Sequence, residues 1–149
     1  MTLSVVVPIY NEINYLDIFI KRLLSSFKNE SVEYIFINDG SNDGSTEWLS
    51  TNLPTFQIKK YQYVNLSKNR GKGYALRKGL QLVTSDYILF IDSDMEYDPK
   101  DGFEMYHIIK TNSQMHVLFG SRYLTGKIQH REYFINDIVV RVNTVLFNF

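Results

Sequence analysis

The sequence predicts an α/β fold built on a mostly parallel sheet, and three observations carry that prediction. Short apolar, β-branched runs alternate with helically spaced segments in the order βαβαβαβαβ. The runs are apolar at successive positions, as strands buried on both faces are. The chemically distinctive polar residues follow the runs directly, and such a sheet binds ligands outside the carboxyl ends of its strands.

The first run, Leu3–Ile9 (LSVVVPI), reads as a core strand. Pro8 lacks an N–H, so the chain is expected to leave the ladder near that point. Leu16, Phe19, Ile20, Leu23, Leu24 and Phe27 then form a single helical stripe. Val32–Asn38 (VEYIFIN) is the second strand. The loop Asp39-Gly40-Ser41-Asn42-Asp43-Gly44-Ser45 supplies Ser and Asp caps for a helix carrying Trp48 and Leu49. Residues 58–64 read as a third strand. Residues 69–83 read as a helix approached through glycines, with Ala75, Leu76, Leu80 and Val83 on one face. Residues 87–91 (YILFI) read as a fourth buried strand, and residues 117–120 as a fifth. Between them Asp98 is a natural N-cap with Pro99 at the first helical position.

Composition narrows the function classes. The chain has 149 residues, 16 basic and 16 acidic, so its formal net charge is zero. No field of one sign points to nucleic acid or to an anionic surface. There is no cysteine, hence no disulfide framework or thiolate metal site, which suits a reducing compartment. Met1-Thr2-Leu3-Ser4 carries no basic segment and no cleavage site, and no stretch approaches the roughly 18–20 apolar residues of a spanning helix. The tail is apolar to its last residue, with no cap or breaker, and reads as continuing into a longer protein. In it Tyr133, Phe134, Ile138, Val142, Val145 and Leu146 follow helical spacing. They fit either a core-packing helix or an interfacial one leading a lipid toward Arg131, and a bare apolar face there would make a homo-oligomer a candidate assembly.

Acidic residues converge on one rim of the predicted sheet: Glu12 after the first strand, Asp39 after the second, Asp92 and Asp94 after the fourth. Asp92 and Asp94, two apart in extended chain, point the same way. Their mutual repulsion is relieved by a cation, and oxygen ligands favour Mg²⁺ or Mn²⁺. Glu96 is a third candidate ligand. The plainer alternative is a solvated acidic turn before a helix. Asp39 suits a ribose or base N–H, or simply a turn, and Glu12 suits the first turn of a helix on dipole grounds alone. Asn69-Arg70-Gly71-Lys72-Gly73 brings N–H groups and the Lys72 ammonium toward a phosphate, or else packs a helix start on the sheet. Arg122 and Arg131 are candidate phosphate clamps. The three histidines show no metal-ligand spacing.

VVVPIYNE (5–12), NDGSNDGS (38–45), NRGKGYALRKG (69–79), DSD (92–94) and GSRY (120–123) occur in the order seen in family 2 glycosyltransferases of the GT-A fold. The chain resembles that family over nearly its whole length. The NRGKG block, GSRY and Arg131-Glu132-Tyr133-Phe134 are most similar to the dolichyl- and polyprenyl-phosphate mannose and glucose synthases.

The resemblance implies a Rossmann-like three-layer αβα sandwich, with residues 1–149 forming one nucleotide-sugar-binding domain. It implies a GDP- or UDP-hexose donor, a polyprenyl-phosphate acceptor and a position at the cytoplasmic face of a membrane, with no nucleic acid. By position, Pro8, Tyr10, Glu12, Ile37 and Asp39 would surround base and ribose. Lys72, Asp92 and Ser93 would lie along the donor, and Asp94, Asp92 and Glu96 at the metal. Asp92, Asp94, Arg122 and Arg131 would form the catalytic set. A family 2 enzyme extending a glycan, or a silent nucleotide-sugar-binding module, are the alternatives.

Overall fold

The structure, a computed structural model, describes residues 2–112 and 114–120. Four parallel strands lie in the order β3-β2-β1-β4. They are β1 (Leu3–Ile9), β2 (Val32–Asn38), β3 (Tyr61–Asn65) and β4 (Tyr87–Phe90). The helices are α1 (Leu16–Ser26), α2 (Ser45–Asn52), α3 (Lys72–Leu80) and α4 (Pro99–Thr111).

The alternation of β1 decides the layers. Leu3, Val5, Val7 and Ile9 pack into one cluster with Leu16, Phe19, Ile20 and Leu23 of α1, Leu49 of α2 and Tyr106 of α4. Val6 faces the other way and packs with Ile35, Ile37 and Ala75 of α3. The predicted three-layer α/β/α sandwich follows, with α1, α2 and α4 on one face and α3 on the other. Leu16, Phe19, Ile20 and Leu23 are spaced i, i+3, i+4, i+7, and all four are buried. Gly79 lets α3 lie close to the sheet, because a Cβ there would overlap Cγ1 of Val6.

Several boundaries differ from expectation. The third strand begins at Tyr61, not 58, after a 3₁₀ turn at Leu53–Thr55 and Gln57 in a left-handed conformation (φ 46°). Its ladder with β2 sets its length. The third helix starts at Lys72 because the N–H groups of Arg70 and Gly71 are committed to Asp39. Its buried positions are Ala75 and Gly79, while Leu80 is exposed. The fourth strand is one residue shorter than expected and is not buried on both faces: Ile88 and Phe90 are 43% and 47% exposed. The fifth strand is absent at residues 117–120, where Val117 and Phe119 are exposed. Strand propensity needs a ladder to express it, and these residues have none. Asp98 caps α4 as expected, accepting from Lys100 N–H at 3.0 Å. Among the described residues no helix is long and apolar enough to cross a membrane. The helical spacing after Tyr133, like Arg122 and Arg131, lies outside the described residues.

Candidate functional site

The chain runs from β1 outward through β2 to β3, then returns to the other side of β1 to form β4. The switch point therefore lies between β1 and β4, where α/β sheets bind their ligands. Pro8 opens that crevice. Along β1 the even residues face β4: Val6 accepts from the N–H of Ile91 at 3.3 Å, and the ladder ends there. Pro8, next on that side, has no N–H to give. Its carbonyl instead accepts from the Ser93 hydroxyl at 3.2 Å. On the β2 side pairing continues through Pro8 and Ile9. The chain thus leaves one ladder at Pro8 and keeps the other.

The resulting open cleft has a volume of about 220 Å³ and is lined by Pro8, Ile9, Tyr10, Glu12, Asp39, Asn69, Lys72, Ala75, Asp92, Ser93 and Asp94. Eight of the residues expected at the site are here: Pro8, Tyr10, Glu12, Asp39, Lys72, Asp92, Ser93 and Asp94. Ile37 is not. It is fully buried with Val6 and Ala75 beneath α3, because its side chain alternates onto the helix-covered face. Glu96 is exposed and off the cleft wall, its N–H donated to Asp94 Oδ1 at 3.0 Å.

Asp39 is buried and already engaged. Its Oδ1 accepts from Arg70 N–H at 2.9 Å and its Oδ2 from Gly71 N–H at 2.8 Å. Each oxygen keeps a lone pair for a further donor. Gly40 allows this approach, with φ +68° and no Cβ to strike the Lys68–Asn69 backbone. Lys72, the first residue of α3, places its ammonium 2.6 Å from Asp92 Oδ2. Burial, then the charges of Asp94, Asp43, Asp92 and Glu96, push the Glu12 carboxyl up to about 7. That shift records first the partial burial of the carboxyl and then the acidic charge around it.

One part of the site was not foreseen. The β1–α1 and β2–α2 loops are zipped together. Asn11 N–H donates to Ser41 Oγ, Glu12 N–H to Ser45 Oγ and Ile13 N–H to Asp43 Oδ2. Burial opposes the charge on Asp43, but hydrogen bonds from Ser45 and Ile13 outweigh it and hold its carboxyl below the usual range. Asn38, fully buried, joins Thr46, Asn65 and Ser41. The density of Asn, Ser and Asp in 38–46 was the available signal.

Among the described residues no three carboxylates or imidazoles form a ligand cluster for a metal. The expected set of Asp94, Asp92 and Glu96 is not brought together among the described residues; Glu96 is exposed and follows Met95, whose φ is 62°. A pair remains, Asp92 and Asp94. Mg²⁺ is commonly held by one or two carboxylates plus substrate phosphates and water, so the donor set fits a cation completed by a diphosphate.

The profile of glycosyl transferase family 2 matches residues 4–137. The chain belongs to that family. It is 33% identical over 123 residues to an undecaprenyl-phosphate 4-deoxy-4-formamido-L-arabinose transferase of Photorhabdus laumondii, covering 80% of this chain and 36% of that protein. It is 30% identical over 133 residues to a poly-beta-1,6-N-acetyl-D-glucosamine synthase of Staphylococcus aureus, covering 83% and 31%. The mannosyltransferase PcManGT of Pyrobaculum calidifontis, solved with GDP-Man and Mn²⁺, superposes with a TM-score of 0.58 at 22% identity, over 66% of this chain and 29% of that one. This family 2 chain therefore spans about a third of the length of the curated relatives it matches, and its architecture is that of the GT-A fold.

Proposed function

We propose that this family 2 chain binds a nucleotide-sugar donor, GDP- or UDP-hexose, and passes the hexose to a polyprenyl phosphate with inversion. The observation that carries the reading is the cleft between β1 and β4, where Asp92, Asp94 and Lys72 meet the Asp39 loop. The similarity to an undecaprenyl-phosphate transferase supports the choice of acceptor.

In this reading Pro8, Tyr10, Glu12 and Asp39 hold the base and ribose. Lys72 and the residues around Ser93 lie along the diphosphate. Asp94 and Asp92 would hold Mg²⁺ or Mn²⁺, which neutralises the departing nucleoside diphosphate when bound. Arg122 and Arg131, assigned on their sequence motifs, contact the diphosphate or the acceptor phosphate. A lipid phosphate is already an anion and attacks the anomeric carbon without a general base, whereas a sugar hydroxyl needs one. The acceptor places the protein at the cytoplasmic face of a membrane.

A second reading is favoured by the similarity to the S. aureus synthase: extension of a glycan, with a base elsewhere. Calorimetry with GDP- and UDP-hexoses plus Mn²⁺ identifies the donor. Incubation of the labelled donor with a short polyprenyl phosphate should then give an organic-extractable lipid-linked sugar. Label found only in glycan would overturn the first reading in favour of the second. Tight donor binding with neither product, in a protein extended to the length of its relatives, would favour a silent module, because a chain of this length alone can lack turnover for want of the rest.

A further inference from the structure

Among the described residues Lys72 is the one basic side chain lining the cleft, against four acidic ones, Glu12, Asp39, Asp92 and Asp94. Its place is built rather than incidental. Asp39 takes the N–H groups of Arg70 and Gly71, and Gly71 (φ +88°) starts α3 at Lys72. The ammonium then reaches across the cleft to Asp92 Oδ2 at 2.6 Å. That oxygen belongs to one of the two carboxylates assigned above to a divalent cation.

An ammonium and a divalent cation on one carboxylate compete for its lone pairs, and they repel each other. The conflict ends when the ammonium is given another anion. The diphosphate of a donor is such an anion, and the flexible four-carbon stem of lysine lets the charge move while its backbone stays on the Asp39 loop.

We propose that Lys72 and the metal exchange on Asp92. In the free protein the ammonium holds the carboxylate and keeps divalent cations weakly bound. The arrival of a nucleoside diphosphate with its cation transfers the ammonium to a phosphate oxygen and yields Asp92 to the metal. Metal and nucleotide therefore bind with positive linkage, and a large share of that linkage belongs to Lys72. The inference rests on the nucleoside-diphosphate reading of the cleft.

The test is Mn²⁺ binding, followed by the electron paramagnetic resonance signal of the free ion, with and without UDP or GDP. It uses the wild-type protein, Lys72→Met and Lys72→Arg. Lys72 is exposed, and circular dichroism melts check that the variants fold. Lys72→Met should bind Mn²⁺ alone about two- to fivefold more tightly, as loss of an exposed ion pair allows. In the same variant the gain in Mn²⁺ affinity on adding nucleotide should shrink by about tenfold or more, the scale of a charge-assisted hydrogen bond. Lys72→Arg should keep linkage within about twofold of wild type, since the competing charge remains. A Lys72→Met protein that binds Mn²⁺ no tighter than wild type and keeps full linkage overturns the exchange alone. A wild-type protein whose Mn²⁺ affinity neither nucleotide raises overturns the exchange and the functional reading together.

Discussion

The N–H of Gly71 donates to a carboxylate oxygen of the buried Asp39 at 2.8 Å, fixing the loop that leads into α3 to the end of β2. Because Lys72 follows directly, this bond couples the proposed nucleoside end of the cleft to its phosphate end.

Asp39→Asn keeps the shape but loses one acceptor, so either Arg70 or Gly71 faces an NH₂ group. The expected cost is about 1–3 kcal/mol of stability, the scale of a buried group left unsatisfied. Nucleoside as well as nucleotide affinity should fall. Calorimetry with uridine, guanosine and their diphosphates checks this. Loss confined to phosphate-bearing ligands would remove Asp39 from the nucleoside and leave it only as the anchor of the loop.

Glu33 sits at the opposite end of β2, 2% exposed. Burial opposes its charge, but the Lys60 ammonium and hydrogen bonds from Ser4 and Thr84 outweigh it and lower its pKa from 4.5 to about 2. The folded pKa lies below the unfolded one, so this stability is complete above about pH 4.5 and is lost as pH falls toward 2. Its size is on the order of 3 kcal/mol. Glu33→Gln should be less stable at pH 7 and show a flatter acid limb between pH 4.5 and 2 in urea unfolding. An acid limb as steep as wild type would remove Glu33 from the balance.

Gly79→Ala sets two effects against each other. Alanine gains up to about 1 kcal/mol over glycine in a helix interior, and less at Gly79, the second-last residue of α3. The added Cβ would overlap Val6, and overpacking of this kind costs about 1–3 kcal/mol. A net loss of about 1 kcal/mol or more is expected, read as a lower urea midpoint at unchanged slope. A higher midpoint would mean that α3 retreats from the sheet without cost.

The parts of the fold legible in the sequence were those set by local pattern. The apolar runs of β1 and β2, the α1 stripe and the Asp98-Pro99 cap announce themselves. The position of Asp92 and Asp94 at the cleft was legible because they follow an apolar run, and such a sheet opens its crevice outside the carboxyl ends of its strands. What escaped was set by partners distant in sequence. The start of α3 depends on Asp39, the half-bare state of β4 on the lack of a packing partner for Ile88 and Phe90 among the described residues, and the lack of a strand at 117–120 on a missing ladder. Ile37 lies beneath α3 and off the cleft, since position in a motif does not say which face a side chain takes. The Lys72–Asp92 pair, twenty residues apart, has no local signature at all.

The central claim is that Asp92 and Asp94 bind a diphosphate through a divalent cation, and metal-dependent nucleotide affinity tests it most directly. UDP and GDP are titrated calorimetrically into the protein with Mn²⁺ and then with excess EDTA, in wild type and in Asp94→Ala. At least one nucleotide should bind about tenfold or more weakly after chelation, and Asp94→Ala should reproduce most of that loss with metal present. Equal affinity with and without metal, in both proteins, would contradict the account.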